Sequence, residues 1–458
     1  MRAWGAQRIA AAAGAELLRD PAQGTGGPLA ATVDSRAAGP GDLFFGIPGE
    51  RVDGGAFAAT ALAAGAWGAL VVPARAREAL AAQDAGAVLA AADPTAALGA
   101  LAREVRRDLG GRVVGITGST GKTSTKDILA SLLAPSLETV ASQANLNTEI
   151  GLPLQVLAAP PGTQALVLEM AMRGTGQIAE LVAIAEPDVG VIVNVGPVHL
   201  ELLGSLEAVA AAKAELVRDL RPGATAVVPA GEPLLEPHLR RPDIEVVTFG
   251  ERGDVRLIGA DGDRLDIDLA GERIAIEVSF TQAHNRANLL AALAAARAIG
   301  ADPPARLDVA FSALRGERIE LPGGITVIDD CYNANPMSMR AALDDLAAVA
   351  ASKPGGGRRV AVLGDMLELG PREADFHADI GRHAAAAGVE LLVAVGPLAA
   401  EAGGAFPGEA LALASASEAA GALPALLEPG DTVLVKGSRG VGLEVVAQRL
   451  GDGGPAGD

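Results

Sequence analysis

Residues 112–124 read RVVGITGSTGKTS: a β-branched run, then glycines, then Lys-Thr where a helix would begin. Such a strand–turn–helix aims unpaired backbone N–H groups at phosphate oxygens. Gly118, Ser119, Thr120 and Gly121 would form the turn and Lys122 would reach the outer phosphates; Thr123 and Ser124 open the helix, with the Thr123 hydroxyl offered to Mg²⁺. The spacing departs from the usual P-loop, which wants glycine where Ile116 stands; Gly115 falls one residue too early, leaving G-x-x-G-K-T. ATP or GTP binding follows. Kinases, motors and ligases share such a loop, so the reaction must be read from other residues.

Two of these sit where a parallel sheet delivers functional groups, and a third follows on a helix. Glu169 ends QALVLEM and His199 follows VGVIVNVGPVHL, both at the carboxyl ends of expected strands, while Lys213 lies fourteen residues on (213 − 199 = 14) in SLEAVAAAKAEL. Hard divalent ions prefer oxygen, so Glu169 and Thr123 suit the Mg²⁺ of a nucleotide. A lysine amine of lowered pKa can add carbon dioxide and become an anionic oxygen ligand. Two metals beside ATP need more negative ligands than one glutamate supplies, which favours a carbamylated Lys213 and gives Thr123, Glu169, His199 and Lys213 as the expected metal ligands. Each has a plain alternative: a helix cap for Glu169, a hydrogen-bonded loop residue for His199, a wet-face pairing with Glu207 or Glu215 for Lys213.

Positioning these groups falls to an alternation of short β-branched runs (WGALVVP, RVVGITG, ALVLEMA, VGVIVNV, TAVVPA, ITVIDD, RRVAVLGD, LLVAVG, DTVLVKG) with Ala/Leu-rich helical stretches, which predicts parallel sheets covered by helices. At 458 residues the chain exceeds one hydrophobic core, and three domains are expected, with cuts after 92 and 317: 1–92, 93–317 and 318–458. Residues 251–280 alternate polar and apolar with Gly/Asp turns, predicting antiparallel strands added to the middle domain. The Gly-rich tail 451–458 is expected to be disordered, and the first twenty residues read as an amphipathic helix rather than an export signal.

A formal charge of −19, from 37 Lys+Arg against 56 Asp+Glu with no basic cluster, argues against nucleic acid and leaves phosphates to local devices. The single cysteine, Cys331, excludes an intramolecular disulfide and multi-cysteine metal sites, and no run of ~18 apolar residues spans a membrane. A cytoplasmic protein, monomeric, is the expectation.

In order and spacing, TVDSRAAGPGDLFFGIPGE, GITGSTGKTSTK, NLNTEIGLP, LEMAMRGTGQI, NVGPVHLELLGS, AHNRANLLAALA, VIDDCYNANPMSM, VLGDMLELG and VLVKGSRG resemble the Mur ligases over essentially the whole chain. The resemblance implies an N-terminal uridine-substrate α/β domain, a central P-loop ATPase-like domain and a C-terminal Rossmann-like α/β domain. It implies ATP-dependent addition of D-alanyl-D-alanine to UDP-N-acetylmuramoyl-tripeptide through an acyl phosphate and a tetrahedral intermediate, with the C-terminal domain swinging closed on substrate. By the same resemblance Asp34-Ser35-Arg36 meets the uridine nucleotide, and Asn145, Asn147 and Thr148 orient the muramyl-peptide end. Asn288 and Arg318 contact ATP and Asp330 its ribose; Tyr332, Asn333 and Asn335 share that string; Asp365, Glu368, Lys436 and Ser438 lie where the dipeptide arrives. Two departures stand out: Gly55 where the family commonly carries histidine, and no Asp-Asn-Pro-Arg string of the diaminopimelate-adding ligase. A folate-type ligase would lack the N-terminal domain, and a nucleotide switch would leave Glu169, His199 and Lys213 without purpose. The third residue of the acceptor, lysine or diaminopimelate, stays open, as does the base for the incoming amine; His199 qualifies only when off the metal.

Overall fold

The strand Arg112–Thr117 is buried on both faces and lies between Ala165–Glu169 and Val189–Ile192, parallel to both, with Ile116 opposite Glu169 and Val191. That register brings the phosphate loop, Glu169 and the segment leading to His199 out of the same sheet edge, the place where open α/β sheets bind ligands. This computed structural model describes residues 4–21, 26–143, 145–353 and 356–451; residues 452–458 of the tail lie outside them.

Three sheets, each covered by helices, form three α/β domains. The first has five strands in the order Glu16–Arg19, Ala87–Ala90, Gly68–Val71, Asp42–Phe45, Ala30–Thr32, parallel except for Glu16–Arg19. The second has ten, running Arg306–Leu307, Glu272–Val278, Arg264–Leu269, Val255–Asp261, Glu245–Phe249, Thr225–Pro229, Val189–Ile192, Arg112–Thr117, Ala165–Glu169, Thr139–Ala141. Its meander Val255–Asp261, Arg264–Leu269, Glu272–Val278 is antiparallel, as the alternation at 251–280 predicts. The third orders Glu317–Leu321, Ile325–Asp329, Thr432–Lys436, Arg359–Gly364, Leu391–Val395, Glu409–Leu413, parallel except for its first pair.

The N-terminus departs from the expected single helix. Gly14 closes the helix Ala6–Ala13 in the left-handed region (φ 62°), where a side chain would be strained, and Glu16–Arg19 then pairs as an antiparallel edge strand.

The helix Pro94–Leu109 ties the first two domains together. Asp93 caps it by accepting from the Thr95 and Ala96 amides, and Pro94 stands in its first turn. Leu98, Leu101, Ala102 and Val105 belong to one apolar cluster that runs from Trp4 and Ile9 through Leu166 and Leu216 to Leu235. Arg106 is buried in the same joint, donating to the Ala185 and Glu186 carbonyls (2.9 and 2.8 Å) and to Asp188 (3.2 Å). The C-terminal domain keeps two separate clusters of its own, one on each face of its sheet.

Candidate active site

Gly121 stands at φ 77° before the helix Lys122–Leu133, and a Cβ there would sit 2.5 Å from Asn288 Oδ1. The turn before it is clamped from the next strand: Asn194 Oδ1 accepts from the Ser119 and Thr120 amides (3.1 and 3.0 Å), and its Nδ2 donates to the Thr120 carbonyl. Ser119 Oγ in turn donates to the Gly196 carbonyl and accepts from the Gly196 amide. Lys122 is folded back, Nζ donating to the Gly118 carbonyl at 2.8 Å. Burial holds its ammonium below the usual lysine range, with Glu169 opposing and Arg315 adding to the effect.

Thr123 Oγ1 donates to Glu169 Oε2 at 2.8 Å, and Asn147 Nδ2 donates to the other carboxylate oxygen at 2.9 Å. Glu169 therefore caps no helix; it lies beside the first turn of the phosphate-loop helix with a hydroxyl at hand, a pairing of oxygens that fits a hard cation. Among the described residues no three His, Cys, Asp or Glu side chains gather as a metal site, so further ligands have to come from other residue types.

Lys213, one of the ligands expected from the sequence, is buried. It lies on the helix Leu206–Arg218 and is 2% exposed. The wet-face alternative fails: Glu215 is buried too and accepts from the Gly176 and Ala179 amides at the head of the helix Gln177–Ala185. Burial, and then the Lys122 cation, push the Lys213 amine well below the usual lysine range. A neutral buried amine is the form that reacts with carbon dioxide. His199, at φ 52°, is near enough to feel both lysines; burial lowers its pKa while Glu368, 2.5 Å from Nδ1, opposes. Glu368 comes from the C-terminal domain and takes Arg173 as well.

Two cavities, of about 840 and 1050 Å³, meet at Lys122 and Thr123. Ser124, Thr148, Asn288, Asp330 and Lys436 line the first, and Ser438 the second; Asn145, Asn333 and Asn335 line both. Lys436 Nζ pairs with Asp330 at 2.6 Å and donates to the Asn333 carbonyl. Asn335 caps the helix Pro336–Ser352, and its Nδ2 lies 3.5 Å from the Ser119 carbonyl, so the C-terminal domain touches the phosphate loop.

Four expected site residues lie elsewhere, and Lys213 too lines neither cavity. Asp365 is turned inward, its carboxylate accepting from the Ala399 amide at 2.7 Å, and lines neither cavity. Arg318 pairs with Asp345 at 3.5 Å and leaves the cleft to Arg315. Arg36 pairs with its own neighbour Asp34 on the surface of the first domain, and neither it nor Ser35 lines these cavities. At Gly55, a Cβ would lie 2.8 Å from Arg75 Cγ; Arg75, bonded to Asp53, occupies that space.

Comparison with known proteins agrees in all three domains. Residues 30–106 match the Mur ligase family catalytic domain, 116–296 the Mur ligase middle domain and 314–439 the Mur ligase glutamate ligase domain. A UDP-N-acetylmuramoyl-tripeptide--D-alanyl-D-alanine ligase of Mycobacterium tuberculosis is 39% identical over 465 residues, covering 91% of each chain. The chain belongs to the Mur ligase family. The Bacillus subtilis protein of the same name is 34% identical over 91% of this chain and 92% of its own. Among solved structures, MurF from Acinetobacter baumannii superposes with a TM-score of 0.87 (30% identity, 98% and 99% covered), and MurF from Thermotoga maritima in complex with ADP with 0.80 (29%, 92% and 97%).

Sequence reasoning passes over Arg315, Asn194 and His284 in this Mur ligase. His284 lines the first cavity, where burial lowers its pKa against the pull of Asp345 and Asp330. Asn194 stands inside the quoted NVGPVHL, five residues before His199, and an asparagine two residues past the end of a buried parallel strand is the signal that could have found it.

Proposed function

We propose that this chain is an ATP-dependent amide ligase that adds D-alanyl-D-alanine to UDP-N-acetylmuramoyl-tripeptide, releasing ADP and phosphate, in peptidoglycan precursor synthesis. The observation that carries the reading is the meeting of two large cavities at Lys122 and Thr123, one framed by the phosphate loop with His284 and Asn288, the other by Glu368 and Ser438, with His199 and Arg173 lining both. A nucleotide and two reactants need that arrangement. The names of the relatives supply the substrates. The reading divides the work among residues 1–92 for the uridine end, through Ser35 and Arg36, 93–317 for ATP, and 318–458 for the amine, in a cytoplasmic monomer. No helix among the described residues is long and apolar enough to cross a membrane.

In the first step a carboxylate oxygen of the acceptor attacks the γ-phosphorus and ADP leaves. Two unit anions ~4 Å apart repel by about 4 kcal/mol at an effective dielectric of ~20, so the step needs cations on both sides. Lys122, swung off the Gly118 carbonyl, supplies one. Thr123 and Glu169 would hold one Mg²⁺, and His199 with a carbamylated Lys213 another, whose charge offsets that repulsion. Asn147 keeps Glu169 aimed at Thr123. The dipeptide amine then attacks the acyl carbon, the tetrahedral centre expels phosphate, and the amine's proton passes to a base. Because Glu368 holds His199 Nδ1, Nε2 is the nitrogen left to ligate or to accept a proton.

Phosphate release and amide formation, measured with each substrate omitted in turn, test the reading. Release that requires both the UDP-linked peptide and D-alanyl-D-alanine is expected; ATP hydrolysis indifferent to either would make the protein a nucleotide switch. Parallel acceptors ending in lysine and diaminopimelate decide the third residue.

A further inference from the structure

Between the strand Arg359–Gly364 and the helix Glu373–Ala386 runs the loop that delivers Glu368 to His199. Its backbone is pinned residue by residue. The Asp365 carbonyl accepts from the Ser438 amide (3.0 Å), the Met366 amide donates to His377 Nε2 (2.8 Å), the Leu367 amide donates to Ser438 Oγ (3.0 Å) and the Glu368 carbonyl accepts from the Glu201 amide (3.3 Å). The Asp365 carboxylate is taken by the Ala399 amide and the Met366 side chain is fully buried, so of residues 365–369 only Leu367, Glu368 and Leu369 line the second cavity.

His377 holds the pin at Met366. It is 2% exposed, and its ring lies between two backbone groups, the Met366 N–H at Nε2 and the Glu373 carbonyl 2.7 Å from Nδ1. A backbone amide can only donate and a carbonyl can only accept. One form of imidazole satisfies both: neutral, with the hydrogen on Nδ1 and the lone pair on Nε2. The two bonds differ in weight. The helix already supplies the Glu373 carbonyl with the His377 amide one turn on, whereas the Met366 amide has no other acceptor among the described residues. Glu368 stands two residues further along at φ 64°, a left-handed conformation that a side-chain-bearing residue keeps only where its surroundings fix it.

We propose that His377, in its Nδ1–H form, is a positioning residue for the reaction: it fixes the Met366 amide and through it the backbone of Glu368, whose carboxylate orients His199 across the domain boundary. Without that acceptor the peptide units on either side of Met366 turn, and the carboxylate leaves His199 Nδ1 and Arg173 together. The effect on turnover rests on the ligase reading above; the geometry does not.

Nitrogen NMR of histidine-labelled protein tests this, since the chain has five histidines and single variants assign them. Wild type should show His377 protonated on Nδ1 and bare on Nε2. In His377→Leu the His199 ring signals should move to where Glu368→Ala puts them. His377→Gln sets its amide oxygen where Nε2 stands and should keep them in place; His377→Asn, whose amide reaches only the Nδ1 position, should not. In the Leu and Asn variants kcat should fall about tenfold, as when a buried N–H loses its acceptor, and His377→Gln should recover most of it, with ADP affinity within about twofold throughout. The double variant His377→Leu/Glu368→Ala should turn over no more slowly than Glu368→Ala, because both changes break one contact, whereas general destabilisation would add. An Nε2–H tautomer at His377, unmoved His199 signals in His377→Leu, or additive losses overturns the proposal. If His377→Leu does not fold, the wild-type tautomer and the contrast between the Gln and Asn variants decide it. Because the spectra need no turnover, a wild type that makes no amide sinks the ligase reading and leaves this one standing.

Discussion

Glu368, at φ 64° in the loop after Arg359–Gly364, stands 2.5 Å from His199 Nδ1 and takes Arg173 on its other oxygen, so one carboxylate of the C-terminal domain fastens two cations or donors of the central one. Burial works against its ionisation, but His199 and then Arg173 hold it below the usual carboxylate range. Glu368→Ala should loosen domain closure: about tenfold lower kcat and a higher KM for the dipeptide, from loss of hydrogen bonds to charged groups worth about 1.5 kcal/mol or more. Nucleotide affinity should change less than twofold. Kinetics with small-angle scattering of the substrate-bound form checks both.

Gly121→Ala should abolish tight nucleotide binding. The left-handed conformation costs a side chain about 1–2 kcal/mol, and the added methyl collides with Asn288 Oδ1. Either the loop turns out of register with the Asn194 clamp or the 283–298 helix backs away. Calorimetric ADP binding, at least about tenfold weaker by the 1.4 kcal/mol-per-decade relation, is the measurement.

Lys213→Met should make the protein more stable and inactive. The buried amine is disfavoured in the fold, so a methionine of similar length should add on the order of 1–3 kcal/mol, as seen when an unpaired polar group leaves a core. The sign with pH follows from linkage: the folded pKa is depressed, so between it and the unfolded value of about 10.4 the unfolded chain binds more protons, and stability rises with pH across that window. Urea unfolding of both proteins at several pH values should show that slope in wild type and a flatter one in the variant.

Lys436→Met should destabilise the C-terminal domain by about 3 kcal/mol, because Asp330 then loses its partner at 2.6 Å. Adding Asp330→Asn should restore part of the loss, a coupling that a double-mutant cycle of melting temperatures reads directly.

The central sheet could be read from sequence because its strands are buried on both faces and appear as unbroken β-branched runs, and because a phosphate loop is a local device of a dozen residues. Short strands such as Ala30–Thr32, Thr139–Ala141 and Arg306–Leu307 carry no such run; neighbours, not their own residues, make them strands. Glu169 was findable as a carboxylate at a strand end. Arg315 was not, since it stands in an irregular loop and gains its place only when Tyr332 and Thr123 fold against it. Asp365 misled for the converse reason: its string points to the site, while a helix start 34 residues later claims the side chain.

The apolar cluster that runs from Trp4 to Leu235 across the Pro94–Leu109 helix packs the first two domains into one block, while the third keeps clusters of its own. On the proposed function, the place that grips the uridine end and the place that phosphorylates the far carboxyl are then set a fixed span apart. The block works as a ruler: a precursor with a stem one amino acid short would be gripped correctly and still fall short of Lys122, and selection for length needs no side chain that recognises the missing residue.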